Sequence, residues 1–456
     1  MRRVVKVSRI RIVMTIIVVI FVTLLTGCTG KEPNEIAYVV ALGIDSTDDD
    51  NYKITIQYAN TTQISGGASE SGGKAGSEIV DNVTIEAPNI YAGVGLANNI
   101  VSKSFSMSHA KLIVFSKEIA EKGVKDMIET LVRSEEIRPD VFIAVANTTA
   151  NDYLTAVNPE MEVNPAQYYQ LIYQKNQLVG IPDGQLREFF TGLYTDNYDS
   201  ILPIAGVIEG SGGNSQNDDK GQSKDGQNEG SEGSSESLDS FESKSSNEKE
   251  ENEKEKDAEK NTSKYEYDIK NYVGGETAIE KKNKAEAIGA AVFEKDKMVG
   301  ELGEVETEIC KMLKGDYTYS YLTYYNNDTP DIPITVKTTQ QKKPKYKIDT
   351  DKKTVDIELY IESDLYSLPA DYNVENKIED FERDVANYTS SACTEFINNF
   401  TKKYNSDILK LNEKIKYKFL TNNQYNWFKK NVGWSEYKFS VCTNFKVRRT
   451  GLIVRE

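Results

Sequence analysis

The chain has 456 residues and carries 71 Asp and Glu against 55 Lys and Arg, a net charge of −16. That acidity argues against nucleic acid and against docking on anionic lipid headgroups. His109 is the only histidine, and the four cysteines (Cys28, Cys310, Cys393, Cys442) include no C-x-x-C pair. This excludes most metal sites and a disulfide scaffold, and no cofactor or metal is expected.

Residues 1–27 have the three regions of a secretory signal. Arg2, Arg3, Lys6, Arg9 and Arg11 form a basic start, and Ile12 to Leu25 is apolar apart from Thr15 and Thr23. Crossing a bilayer takes about 20 apolar residues, so this run suits a signal peptide better than a transmembrane helix. Leu25-Thr26-Gly27-Cys28 then forms a lipobox, which marks Cys28 for acylation. The mature chain is expected to begin at Cys28, to carry two or three acyl chains and to be anchored on the outer face of a membrane. Removing residues 1–27 removes five basic and no acidic residues and takes the net charge to −21.

Ile36 to Leu42 is near-continuously apolar, as a strand covered on both faces would be. Tyr52, Ile54, Ile56 and Tyr58 alternate with polar residues, which predicts a hairpin with it across Asp48-Asp49-Asp50. Gly72-Gly73-Lys74 lacks both the first glycine and the Ser/Thr of a phosphate loop, since Ala68 and Ala75 stand there. Strands are predicted at 79–85, 110–115 and 141–146, with a helix from Pro88 to about Val101. Ala120, Val124, Met127, Ile128 and Leu131 share a helical face. His109, beside Ser106 and Ser108, reads as a strand-entry residue rather than part of a catalytic pair, with no carboxylate to orient it. Helices follow at 150–157, 165–178 and 185–193, and Pro203 within the strand 201–208 suggests a sheet edge.

From Glu209 to Ser263 the only apolar residues are Leu238, Phe241 and Ala258, and sixteen acids face seven lysines. Such a segment cannot bury enough surface to offset its ordering entropy and is expected to be disordered. Beyond it, residues 288–293 and 298–302 predict a strand–turn–strand, and Val305, Ile309, Met312 and Leu313 the face of a helix. Ile332 to Val336 and Val355 to Ile361 alternate as strands. Val374, Ile378, Phe381, Val385, Tyr388, Ala392, Phe396, Phe400 and Tyr404 predict one helix of about 45 Å. Residues 438–453 close the chain as two strands, and Trp427, Trp434 and Tyr437 are the candidates for exposed aromatics, set against the reading that both tryptophans belong to the core. The fold class is α+β and multi-domain: mixed sheets flanked by helices, with one long amphipathic helix in the C-terminal domain. The divisions are 1–27 signal peptide, 28–208 N-terminal region, 209–270 acidic linker and 271–456 C-terminal domain.

Several motifs together resemble the Ger(x)C family of spore germination lipoproteins. They are Gly27-Cys28, Ala41-Leu42-Gly43-Ile44-Asp45, Ser108-His109-Ala110-Lys111 and Arg133 with Glu136-Ile137-Arg138. In the second half they are Gly289-Ala290-Ala291-Val292-Phe293, Asp296 to Leu302, Glu306-Thr307, Ser406-Asp407-Ile408-Leu409, Trp427 and Trp434. Two departures are Lys410-Leu411-Asn412, where a glycine-containing turn is expected, and the acidic insert. The resemblance implies a non-enzymatic lipoprotein, the C subunit of a nutrient germinant receptor, on the outer face of the spore inner membrane. It would assemble with A and B subunits, and the lipid-bearing residue carries over to Cys28. The alternative is a substrate-binding lipoprotein of a transporter, which requires two similar lobes; a lipid-anchored hydrolase has no marked pair of carboxylates.

Overall fold

The computed structural model describes residues 13–18, 35–49, 51–59, 80–159, 164–174, 180–195, 197–208, 271–277, 283–325, 333–367, 377–404 and 406–450. The lipobox, the glycine-rich loop at 65–77 and the acidic insert lie outside them. Residues 13–18 are helical, and no helix among the described residues is long and apolar enough to cross a membrane.

The first sheet begins with β1 (Ile36–Ser46), β2 (Tyr52–Ala59) and β3 (Val80–Ala87), all antiparallel, the first two forming the expected hairpin. Helix α1 (Ile90–Ile100) starts two positions beyond the expected Pro88 and is capped by Asn89, whose side chain accepts from the Ala92 N–H. The short β4 (Ser104–Ser106) runs parallel to the beginning of β1. β5 (Leu112–Ser116) is followed by α2 (Lys117–Lys122) and α3 (Lys125–Val132). These replace the single expected helix because Gly123, at φ 124°, breaks it. Then come β6 (Phe142–Ala146), α4 (Ala150–Ala156), α5 (Pro165–Gln174), α6 (Leu186–Thr195) and β7 (Ile201–Val207).

The order is β3-β2-β1-β5-β6-β7, and it continues through β8 (Ala285–Glu294) and β9 (Lys297–Leu302). Strands β1, β5, β6 and β7 are mutually parallel and buried on both faces, which accounts for their unbroken apolar runs. Leu42, Ile113 and Ile143 pack on one side with α1, α3 and α6; Ala41, Leu112 and Ala144 pack on the other with α4 and α5. Pro203 is not at an edge, as its type suggested. β7 lies inside the sheet, pairs with β6 only from Ile204 onward, and its register with β8 shifts between Pro203 and Ala205. The missing N–H therefore falls at an irregularity rather than in the ladder.

The composition boundary at residue 270 falls inside this architecture. β8 and β9, on its C-terminal side, complete the first sheet. Helix α7 (Glu304–Lys314) follows, and the second sheet contains β10 (Tyr319–Tyr325), β11 (Pro333–Gln340), β12 (Lys345–Asp349) and β13 (Thr354–Ser367). The long helix α8 (Ile378–Lys403) spans 26 residues, about 39 Å at 1.5 Å each. Val374 lies outside the described residues. Two short helices, α9 (Leu411–Ile415) and α10 (Asn422–Asn431), lead to β14 (Lys438–Arg449). β14 is one strand, parallel to β13; residues 451–453, the end of the region expected to hold two strands, lie outside the described residues. Val292 and Leu302 of the first sheet share a core with Ile357 of β13, Phe396 of α8 and Phe439 of β14. The protein is thus an α+β fold of two mixed sheets flanked by helices.

Candidate functional site

Cys28 lies outside the described residues. His109 ends a 3₁₀ turn (Met107–His109) and is exposed; Ser108 Oγ lies 3.0 Å from its Nδ1, and Tyr38 packs edge-on at 4.8 Å. No carboxylate bonds to it among the described residues. Of the three candidate surface aromatics, only Trp427 is exposed, at 64%. Trp434 and Tyr437 are core residues with ring centroids 4.8 Å apart, and Trp434 also meets Phe428.

The family-like motifs hold the fold together at defined points. In Gly43-Ile44-Asp45, a Cβ on Gly43 would lie 3.0 Å from Leu154 and 3.1 Å from Ala150, so α4 seats directly on the strand. Asp45 then caps α4 by accepting from the Ala150 N–H at 2.6 Å and the Asn151 N–H at 3.0 Å. Glu136 accepts from the Met107 N–H at 2.6 Å and so fixes the turn that carries Ser108-His109. Gly289 sits at φ 83°, where a Cβ would come within 2.6 Å of the Leu302 carbonyl oxygen. Glu306 reaches back to the Gly303 N–H at 3.0 Å and closes the first turn of α7.

The densest polar arrangement is a joint between the two halves of the chain. Asp199, just before β7, accepts from the Lys295 N–H at 2.9 Å through Oδ1 and from the Asp407 N–H at 2.8 Å through Oδ2. The Asp199 N–H donates in turn to the Asp407 carbonyl at 3.2 Å. The Asp407 carboxylate accepts from the Leu411 and Asn412 N–H groups, both at 2.8 Å, and so starts α9. Burial pushes the Asp407 carboxyl up to about 7, against the opposing pull of those two N–H groups.

Lys410 follows at φ 56°, the left-handed conformation for which a glycine would be the usual choice. Its ammonium is 2.6 Å from Glu188 and 4.3 Å from the centre of the Tyr198 ring. These contacts across the joint offset the backbone cost of about 1–3 kcal/mol for a side chain there. An open cleft of about 520 Å³ lies alongside, walled by Tyr198, Lys295, Tyr404, Asn412, Lys430 and Trp434 among others. Asp407 was visible in a motif; Asp199, 208 residues away, carries no local signal that marks it as its partner.

Residues 30–207 match the family model described as "Spore germination protein N-terminal domain". Residues 288–451 match "Spore germination B3/ GerAC like, C-terminal". Spore germination protein KC of Bacillus subtilis is 27% identical over 173 residues, 35% of this chain and 42% of that protein. Putative spore germination protein YfkR of the same organism is 28% identical over 145 residues, 32% of this chain and 37% of that protein. The chain thus spans about two-fifths of the length of these curated relatives. Among solved structures, a crystal structure of the GerBC protein aligns over 89% of this chain and 96% of its own, with TM-score 0.47 and 15% identity.

Proposed function

The chain belongs to the Ger(x)C family of spore germination proteins, and from that premise we propose that it is the lipid-anchored, non-enzymatic subunit of a nutrient germinant receptor. The observation that carries the reading is the lipobox Leu25-Thr26-Gly27-Cys28 immediately ahead of a fold matched in both halves by the family. Cys28 bears the acyl chains and holds the folded region on the outer face of the spore inner membrane. The chain acts there by assembling with the A and B receptor subunits and passing on the germination signal. A transporter's substrate-binding lipoprotein would need two like lobes, whereas here a nine-stranded sheet adjoins a five-stranded one.

The test is Cys28→Ala expressed in sporulating cells. Acyl labelling should vanish, the chain should leave the membrane fraction, and nutrient-triggered germination should fail while germination by a receptor-independent route persists. Undiminished labelling, or normal nutrient germination with the chain released, would refute the proposal.

A further inference from the structure

We infer that the outer face of α1 is a second membrane contact, a lipid-docking surface that lays the folded region down beside its anchor. The inference rests on the Cys28 tether proposed above.

Between Glu86 and Lys103 the chain has no charged residue, although 28% of all its residues are charged. Helix α1 lies within that stretch, with neither acid nor base in its terminal turns. At 100° per residue, Ile90, Gly93, Val94 and Ala97 point inward, and these are the buried ones. The outward arc runs from Tyr91 through Gly95 and Asn99 to Leu96 and Ile100. Tyr91 is 39%, Leu96 47% and Ile100 73% exposed. A Cβ built on Gly95 would meet nothing within 4 Å, so no described residue covers the helix at that point. A surface helix usually turns charge outward; this one turns Tyr91, Leu96 and Ile100 outward together with Gly95, Asn98 and Asn99, an uncharged face whose tyrosine is of the kind enriched at a bilayer interface.

The position of α1 relative to the anchor selects lipid as the occupant. Asn98 of α1 accepts from the Phe105 N–H at 2.7 Å, and Phe105 of β4 pairs with Ala37 of β1. The last turn of α1 is therefore beside the first strand residues after the tether. Only seven residues, eight Cα-to-Cα steps, separate Cys28 from Ile36. Fully extended, they reach about 28 Å, so α1 is confined close to the headgroups. Charge agrees. A mature chain of net charge −21 is repelled by anionic headgroups over most of its surface, whereas an uncharged helix face is not. An interfacial helix buries its apolar side about 5–10 Å into the headgroup–acyl boundary.

The experiment uses the full lipidated chain in vesicles of phosphatidylcholine and phosphatidylglycerol, with and without phosphatidylcholine carrying a doxyl quencher near the top of its acyl chain. The reporter chain is Ile100→Trp with Trp427→Phe, and the reference is the same chain with Ile100 retained. Doxyl lipid should quench the added emission roughly twofold, as expected for a side chain at the depth of an interfacial helix. Adding Tyr91→Glu and Leu96→Glu to the reporter should abolish that quenching while the circular dichroism spectrum stays unchanged. A chain that floats with the vesicles but is not quenched overturns the docking surface and leaves the tether standing. A chain that does not float overturns the tether, and the docking surface with it. Absence of quenching together with a dimer that Ile100→Glu splits would assign the face to a second copy of the chain, and would likewise overturn lipid docking.

Discussion

Asp407 is a buried carboxyl group and Glu308 a half-buried one, so water solvates neither charge fully. Glu308, on α7, accepts from Ser320 Oγ at 2.7 Å, and burial raises its carboxyl to about 7, as it does that of Asp407. In the unfolded chain both ionise near 4. From there up to about 7 the folded chain holds protons that the unfolded chain has released, so their stabilising effect is complete at acid pH and is lost as pH rises through 7. The melting temperature should therefore fall between pH 5.5 and pH 8, and Glu308→Gln, which keeps an acceptor for Ser320, should flatten that slope. Thermal melts at the two pH values decide it; an unchanged slope would mean that Glu308 is not the group titrating. The two tryptophans separate by burial. Trp434→Ala empties a packed aromatic cluster and should cost about 3–5 kcal/mol. Trp427→Ala removes an exposed ring and should stay within about 0.5 kcal/mol. Loss of receptor assembly in Trp427→Ala with an unshifted melting temperature would identify that ring as a partner contact; normal assembly would remove it from consideration.

At the scale of elements, α8 and β14 make a ladder that conceals a sheet edge. The side chains of Asn398, Thr394 and Ser390 accept from the N–H groups of Phe439, Val441 and Thr443 at 3.1, 3.0 and 2.9 Å. Glu382 accepts from Val447 at 2.9 Å. Four helical residues rise about 6.0 Å and two strand residues about 6.6 Å, so an antiparallel helix can follow a strand's outward donors rung by rung. Thr394→Val would leave the Val441 N–H buried without its acceptor and should cost about 1–3 kcal/mol in chemical denaturation. Opposite Phe445 the helix presents Ala386, and Ala386→Ser should shift the denaturation midpoint the other way. A neutral Thr394→Val would show that solvent already serves the edge. The sequence made α8 and β14 legible because apolar periods of 3.6 and 2 are local. It did not make the ladder legible, since Ser390, Thr394 and Asn398 at a spacing of four look like any solvated face. Glu382, further along the same helix, is taken up in the same way by the Val447 N–H. The candidate site divides the same way. Cys28 follows from a contiguous motif, whereas the Asp199–Asp407 joint depends on a contact between distant segments, and the left-handed backbone of Lys410, within the stretch 410–412 where a glycine-containing turn is expected, is displayed only by the structure.

For the whole molecule, the two strands that flank the acidic segment in sequence, β7 and β8, are neighbours in the first sheet. Val207 and Ala285 are cross-strand partners, and the Ile208 N–H donates to the Lys284 carbonyl at 2.9 Å. Neighbouring antiparallel strands need only two residues between them, so the fold does not require the length inserted here. Closure entropy grows only as about (3/2)RT ln n, and deleting Gly210 to Asn261 should leave the melting temperature nearly unchanged. A fall of more than a few degrees would show that the segment stabilises the folded unit. The same seam makes the covalent connection between the two halves redundant. Residues 28–209 and 271–456, made as separate polypeptides, have a complementary pair of strands and a shared core through which to reassemble, in the manner of a split reporter. A protease acting within 210–261 is therefore expected to sever the sequence while the shared sheet and core hold the two pieces together.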